Sequence, residues 1–478
     1  MLQHGIYTAE DTTPMPVVTL SSNSVQVVVG AASVHLASSP PPVGTPTLIS
    51  TRSEAANIAG YARDMTFPIN QSLFANFELY QVGPVVIINV IDPAKHTAAV
   101  APAAYQLARG VATVDVPGAL ADSVSVALDG ASAPLAAGKD YTASYDSNGN
   151  LLITAVSGGG IPLGASSLTI GFSKLDPAMV TEADILAGLK NVWQVLPVCG
   201  VIPGTIICPG FSQNPNVRDA MQQAGLKING CFTADALVDL DTADLTVPDK
   251  IAAWRQLQIG QSNMFSFWPM VTSKGYKLYY SAVAGAHLAW LDAQNGDIPF
   301  QSPSNKALRI DGLVTADGSV SILDFPRVND MLNAYGICSA INVQGWRWWG
   351  NYTSLYPESV DPKDIFIATK RMFQWQANRF IMTYLTKVDD PTNTRMIEFI
   401  VDNENAYLGA LKGQGILADA SIQFVQEDNP LTQLLAGTIS FRQSYTPFLP
   451  AQAINNTLQF DPSALQAALL GGVNNANS

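Results

Sequence analysis

The 478-residue chain is short of charge, cysteine and histidine, and each shortage narrows what it can do. Charged residues make up 13% of it, about half the usual share. Disordered chains have the opposite balance, so this one folds. So little charge also implies that much nominal surface is covered, for instance by other subunits. Lys and Arg number 25 against 38 Asp and Glu, a formal net charge of −13 that argues against a broad nucleic-acid-binding face. Cys199, Cys208, Cys231 and Cys338 form no CxxC pair and have no histidine at zinc-finger spacing. They read as small buried hydrophobes of a reducing compartment, with a Cys199–Cys208 disulfide as the less favoured alternative. No apolar run approaches the ~20 residues of a membrane span, and MLQHGIYTAEDTTPMP lacks the basic start and apolar centre of a signal peptide. The expectation is a soluble protein that folds in a cytoplasm.

Catalytic and metal chemistry is equally sparse. His4, His35, His96 and His287 are scattered, with no carboxylate spacing of a metal site, and His287 reads as a satisfied structural histidine. Asp239, Asp241 and Asp244 in VDLDTADL lack the central glycine and closing glutamate of an EF-hand and read as a solvated loop. There is no phosphate-cradling glycine loop with lysine and no nucleophile elbow; Cys208 in CPGFS reads as an inert core thiol. No cofactor and no enzyme activity are expected.

What is present is a repeating α/β texture. SVQVVVGAA (24–32) and PVVIINVID (84–92) read as buried strands. Between them TRSEAANIAGYA reads as a helix with Ser53 as N-cap, and residues 70–81 carry apolar positions at helical spacing. From 97 to 174 small residues dominate and short strands recur. DYTASYDSNGNLLITAV there predicts a hairpin with Asn148-Gly149 supplying positive φ angles, so the segment reads as an inserted β domain. Helices and strands then alternate again through 181–197, GTIICPGF, NVRDAMQQAG and the small-residue helix 279–296. Long helices over 364–384 and 395–415 follow, then the strand-like runs ASIQFVQ and GTISFRQSYTPF and an alternating INNTLQFDP. The fold class is mixed α/β and multidomain. We divide the chain at 1–20, 21–96, 97–174, 175–330, 331–453 and 454–478.

GWRWWGNYT (345–353) sets Trp346, Trp348 and Trp349 around Arg347. Such a cluster can stack sugars or bases, but Trp and Arg are more often a packing knot in a core or interface.

The order of these blocks resembles the contractile tail sheath proteins of bacteriophages and phage-tail-like bacteriocins. SVQVVVGAA, PTLISTRSEAANIAG and LFANFELYQVGPVVIINVID look like that family's first βαβ unit. GTIICPGFSQNPNVRDAMQQAG, YSAVAGAHLAWLDAQNGDIPFQSPSNKALRIDGL and LNAYGICSAINVQGWRWWGNYT are similar to further family blocks in the same order. The likeness covers about 1–96 and 175–465. Tyr352 departs from it, standing where the family often has an arginine.

The resemblance implies a sheath core with an inserted β domain and extended terminal arms. It implies a homo-oligomer of hexameric rings stacked helically around a tail tube, contracting on a baseplate trigger to drive the tube through a bacterial envelope. Tail tube, baseplate and tail terminator proteins are the implied partners, with no direct nucleic acid and no membrane. The place is the virion tail, assembled in the host cytoplasm. Neighbouring subunits would be linked by arm strands: Gly5, Ile6 and Tyr7 at one end, Leu458, Gln459 and Phe460 at the other, added to sheets such as SIQFV and TISFRQSY. The tryptophans of 346–349 would pack rather than bind. Lys387, Arg395 and Lys412 would be candidate tube contacts, against an ordinary solvated face as the alternative, since Glu398, Asp402 and Glu404 share the helix. A carbohydrate-binding tail or cell-surface protein is the competing reading.

Overall fold

The computed structural model describes residues 25–131, 133–258 and 260–471, so Gly5, Ile6 and Tyr7 lie outside the described residues. β1 (Gln26–Gly30), β2 (Pro46–Ile49) and β3 (Val85–Asn89) begin an eight-stranded sheet. β1 and β3 are buried at every residue, as uninterrupted apolar runs require, while β2 opens on a proline and takes an edge. α1 (Arg52–Ala59) and α2 (Pro68–Phe74) lie between β2 and β3. The N-cap of α1 is Thr51 and not Ser53, which sits inside the first turn. Thr51 has the extended backbone a cap needs, and its hydroxyl accepts from Glu54 N at 3.2 Å. α2 widens into a π-type turn over Ala75–Tyr80, so 70–81 is helical without being one regular helix.

β4 (Thr97–Ala108), β5 (Val111–Val114), β6 (Ser125–Leu128), β7 (Tyr141–Tyr145), β8 (Leu151–Ala155) and β9 (Ser167–Leu175) form a separate six-stranded sheet, ordered β6-β9-β4-β5-β8-β7. It encloses its own apolar cluster, Val114, Leu151, Ile153, Leu168 and Ile170 among others. Thr97 pairs with Leu175 across β4 and β9, and Asp176 N donates to His96 O at 2.8 Å, so the chain enters and leaves this unit side by side. The β7–β8 turn differs from the expected two-residue form. Gly149 (φ 88°) has the left-handed backbone but Asn148 does not. Instead Asp146 accepts from the amides of Asn148 and Asn150, shaping a longer loop around its own side chain.

α3 (Glu182–Leu189) and α4 (Val195–Cys199) are separated by a 3₁₀ turn, so 181–197 is not a single helix. β10 (Thr205–Ile207), α5 (Pro215–Leu226), β11 (Asp235–Asp239), α6 (Pro248–Arg255) and β12 (Met264–Phe267) extend the large sheet. β13 (Met270–Ser273), β14 (Tyr276–Leu278), β15 (Gly312–Val314) and β16 (Val320–Ser321) form a small antiparallel sheet around α7 (Tyr280–Gln294) in the sequence. After α8 (Phe325–Met331), β17 (Ile337–Asn342) and β18 (Trp346–Trp349) complete the order β18-β17-β12-β11-β10-β1-β3-β2. The inner strands are parallel and both edges antiparallel. The chain builds from β1 to β3 on one side, then from β10 outward on the other. This is a doubly wound sheet with its switch between β1 and β10.

α9 (Pro362–Ile365) leads into α10 (Ile367–Tyr384) and α11 (Thr394–Gly413). β19 (Leu417–Gln423), α12 (Leu431–Leu435) and β20 (Arg442–Pro447) follow, with β19 and β20 paired antiparallel. Met372, Trp375, Leu408, Leu411 and Leu417 form the apolar centre of this C-terminal unit. Residues 448–461 then run without regular structure to α13 (Pro462–Gly471). The alternating INNTLQFDP stretch is therefore no strand within the subunit. Leu458 and Phe460 are 89% and 74% exposed, and Gln459 is exposed beside them. Alternation supplies a face, but a strand also needs a hydrogen-bonded neighbour.

Candidate functional sites

In a doubly wound sheet, ligands bind outside the carboxyl ends of the strands at the switch point, usually on a helix N-terminus. Here that crevice, ≈ 620 Å³, is lined by Glu182, Gly210, Asn214, Asp241 and Tyr279. Its helix ends are occupied by the chain itself. Asn214 caps α5, accepting from Asn216 N at 2.9 Å, and Glu182 of α3 accepts from the side-chain amides of Asn214 (2.7 Å) and Asn216 (2.8 Å). At the end of β11, Asp239 accepts from Ser281 N at 2.8 Å and Ser281 Oγ at 2.5 Å, capping α7 from a distance. The expectation of a solvated loop fails for Asp239. It is buried, which pushes its pKa up to about 6 against the pull of the Ser281 and Ser212 donors. A phosphate entering this crevice would meet the Asn214 cap already on the α5 amide and the Glu182 carboxylate beside it. Cys208, just after β10, is buried and its thiol pushed well up, as an inert thiol should be. Cys231, by contrast, is exposed and Cys199 half-buried, so the reading of four buried thiols holds only for Cys208 and Cys338; all four are free.

Trp348 is fully buried, its indole donating to Gly350 O at 2.7 Å and its ring packed edge-on against Phe267 at 5.2 Å. Trp346 and Trp349 are half-buried; Trp349 donates to Asn329 Oδ1 at 2.8 Å and meets Phe325. Arg347 donates to the carbonyls of Asn305 and Val343, at 3.0 and 3.2 Å. The β18 edge is itself closed by residues 305–308, through Asn305 N to Trp348 O (2.7 Å), Trp348 N to Lys306 O (3.0 Å) and Leu308 N to Trp346 O (2.8 Å). His287 lies among Tyr80, Trp290 and Trp348. It is packed among these rings beside the Pro303 backbone, and burial lowers its pKa to about 3. Tyr352 stacks on Tyr356 with centroids 3.9 Å apart.

Lys387, Arg395 and Lys412 are not brought together. Lys387 precedes α11 and pairs with Asp390 at 3.3 Å; Lys412 ends it and pairs with Asp419 at 2.6 Å. Arg395 stands exposed in the first turn, about 26 Å from Lys412 along the helix. Glu404 does not face solvent: it is buried and ion-paired to Arg379, with Gln376 Nε2 (2.7 Å) and Tyr384 OH (3.1 Å) also donating to it. The Arg379 guanidinium lies over the Tyr407 ring at 4.0 Å.

The opposite side of α10 docks on the core through polar side chains that sequence reasoning missed. Arg371 pairs with Asp292 of α7, Gln374 donates to Gly204 O at 3.0 Å, and Asn378 makes a reciprocal pair with the Thr233 backbone at 3.1 and 2.9 Å. The signal was a polar stripe at 371, 374 and 378, at helical spacing, which reads like a solvated face. Gln452 is the other missed residue. It accepts from Tyr352 OH at 2.7 Å and donates to Asn351 Oδ1 at 2.9 Å, clipping the chain to the core just before the exposed segment departs.

No protein-family model matches the sequence. The tail sheath protein of Burkholderia phage BcepMu is 25% identical over 476 residues, covering 93% of this chain and 93% of that protein. The tail sheath protein of Escherichia phage P2 is 28% identical over 273 residues, 55% of this chain and 65% of that protein. Among solved structures, the PVC sheath complex of an extracellular contractile injection system, in its contracted state, superposes with a TM-score of 0.60 at 13% identity, covering 97% of this chain and 99% of its own. The contracted helical sheath of the anti-feeding prophage gives 0.57 at 15% identity, covering 96% and 100%. At such identities these structures speak for the fold, while the sequence matches speak for descent. The two agree over nearly the whole chain: it is similar in sequence to proteins named tail sheath protein and shares the fold of solved contractile-injection-system sheaths.

Proposed function

We propose that the chain is the structural subunit of a contractile tail sheath. It polymerises as hexameric rings stacked helically around a tail tube, and on a baseplate signal it contracts, driving the tube through a bacterial envelope for genome delivery or membrane puncture. The work is stored in subunit packing, so the subunit is not an enzyme. The supporting observation is a well-packed body from which residues 453–461 leave with Ile454, Leu458 and Phe460 exposed (89%, 89% and 74%). Such an apolar strip is normal only where another chain covers it. β19 and β20 offer a two-stranded sheet that an incoming strand extends. The sheet over 97–175 serves as the inserted domain and faces outward, where additions do not obstruct packing. Assembly takes place in the host cytoplasm and the product is the virion tail, with tube, baseplate and terminator proteins as partners.

Negative-stain electron microscopy of the purified protein, alone and mixed with its tail tube, tests the reading. Striated hollow tubes or ring stacks are expected; monodisperse particles in both samples would sink it. A chain lacking residues 454–478 should stay folded, with unchanged thermal unfolding, yet form no tubes. Normal tubes from that truncation would refute the arm assignment.

A further inference from the structure

Besides its root at His96 and Asp176, the sheet over 97–175 meets the core through its β7–β8 loop. A Cβ on Gly149 would stand 3.1 Å from Leu36 Cδ1 and 3.3 Å from Ala62 Cβ. The loop therefore sits tight against the 3₁₀ turn Val34–Leu36 and the chain just after α1. Tyr145 brings its ring edge-on to His35, centroids 5.9 Å apart, and Phe67 packs the imidazole from the core at 5.5 Å. Neither partner on the loop side is loose. The Tyr145 hydroxyl donates to Ala119 O and accepts from Ala121 N, both at 2.9 Å. Asp146 holds the loop in shape, with the Asn150 side-chain amide also donating to it at 2.8 Å.

His35 is the odd member of this seam. The residue is half-buried, yet both ring nitrogens are shielded from water and have no hydrogen-bond partner among the described residues. Such a site tolerates the imidazole as a flat neutral ring. An imidazolium there would carry a charge and two N–H donors with no acceptor. The carboxylates on the surrounding elements are already engaged. Asp146 is bonded to its own loop, Asp64 accepts from Thr66, and Glu54 accepts from Ser50 N. Glu78 is shared by Arg52, Arg63 and Tyr61. Burial accordingly lowers the His35 pKa to about 4. A cleft of ≈ 470 Å³ beside the loop, lined by Leu36, Arg52, Tyr61, Tyr145 and Asp146 among others, brings solvent to the edge of the seam.

We propose that this seam is an acid-sensitive latch: protonation of His35 drives the β7–β8 loop off the core, and the inserted unit then swings on its root. The inference concerns a single subunit and does not rest on the assembly reading. An open seam returns His35 to water and to its ordinary pKa of 6.5, against about 4 when closed. The closed form thus has its full advantage above about pH 6.5. That advantage falls by up to about tenfold per pH unit down to about pH 4 and is flat below.

Pulsed electron resonance measures the swing. Spin labels are attached at Leu163→Cys in the inserted unit and Val43→Cys in the core, both exposed positions. The background is Cys199→Ser with Cys231→Ser, which removes the half-buried and exposed native thiols. Distances are taken from about pH 7.5 to about pH 3.5, with far-UV circular dichroism on the same samples. The expected result is one narrow distance at the upper end that broadens and shifts between about pH 6 and 4 while the circular dichroism holds. The neutral variants His35→Phe and His35→Leu should keep the starting distance throughout. His96, at the root and 3.4 Å from Asp184, is present in all three proteins, so the comparison isolates His35. An unchanged distance in the parent overturns the proposal, as does a shift with the parent's midpoint in either neutral variant. Loss of circular dichroism before the distance changes overturns it too, since the seam is then not the element that acid releases.

Discussion

α7 and α10 both lie deep in the molecule, yet they are buried by opposite means. α7 packs through Ala282, Ala284, Gly285, Ala286 and Ala289, small side chains that let its backbone come close to the sheet. Gly285 leaves room for the buried amide pair of Gln26 and Asn76, which exchange hydrogen bonds at 2.8 and 3.3 Å. α10 buries Arg371, Gln374, Gln376, Asn378 and Arg379, each matched to a specific partner. A small-residue face contributes through area and tolerates some sliding. A polar face is engaged or broken with little between, because an unpaired buried charge is far more costly than a lost methyl contact. The C-terminal unit is thereby keyed to the core in one position, with Arg371–Asp292 as the point where the two helices meet. For a subunit proposed to work through its packing, a junction with one allowed position is the more useful kind.

The sharpest way to break this contrast is to remove one half of a key. Glu404→Leu leaves Arg379 buried without its counter-charge and should cost about 3–5 kcal/mol in urea unfolding. Adding Arg379→Met should recover most of the loss; failure to recover would mean that the pair does more than neutralise itself. Overpacking the apolar side should cost less. Gly285→Val drives its Cβ to 2.5 Å from Ile207 Cδ1 and 2.7 Å from Gln26 Oε1, for an expected loss of about 1–3 kcal/mol in the same assay. A loss as large as that of Glu404→Leu would erase the distinction.

The smallest effect, taken over a single pH unit, concerns Asp235, which neighbours the α10 junction on β11. Neither of its carboxylate oxygens has a hydrogen-bond partner among the described residues. Burial pushes its pKa up to about 7, with Lys370 and Arg371 pulling the other way. The folded state thus holds a proton that the unfolded chain releases near pH 4. This group's contribution falls as pH rises from about 4 to 7 and is flat above, by at most about 1.4 kcal/mol per pH unit. Asp235→Asn lacks that loss, so its stability relative to the parent should rise across the same window. Parallel pH profiles for the two proteins would show that Asp235 is ionised throughout.

The contrast also explains what could be read from the sequence. The alanine-rich run of α7 and the apolar strands β1 and β3 announce burial directly, since their composition has no other stable use. The tryptophans of β18 could be read as packing or as a stacking surface; Trp348 lies in the core, while Trp346 and Trp349 are half-buried. Arg371, Gln374 and Asn378 carry no such mark. Their partners lie 79 to 170 positions away, and a polar stripe with distant partners looks the same as one facing water. Asp239 was misjudged likewise: Ser212 and Ser281, its partners, are 27 and 42 residues off. The N-cap of α1 was displaced by two residues because threonine and serine are both good caps, and only backbone angles distinguish them.

The side-by-side entry and exit of the 97–175 unit has a consequence for how such chains diversify. Because His96 and Asp176 already share a backbone hydrogen bond, the host sheet experiences one closed junction, whatever hangs from it. Recombination at that junction can exchange the whole cassette for a larger one, a smaller one or a bare turn. The register of β1, β3 and β10 need not change, so the cassette can be rewritten by an event that leaves the host sheet alone.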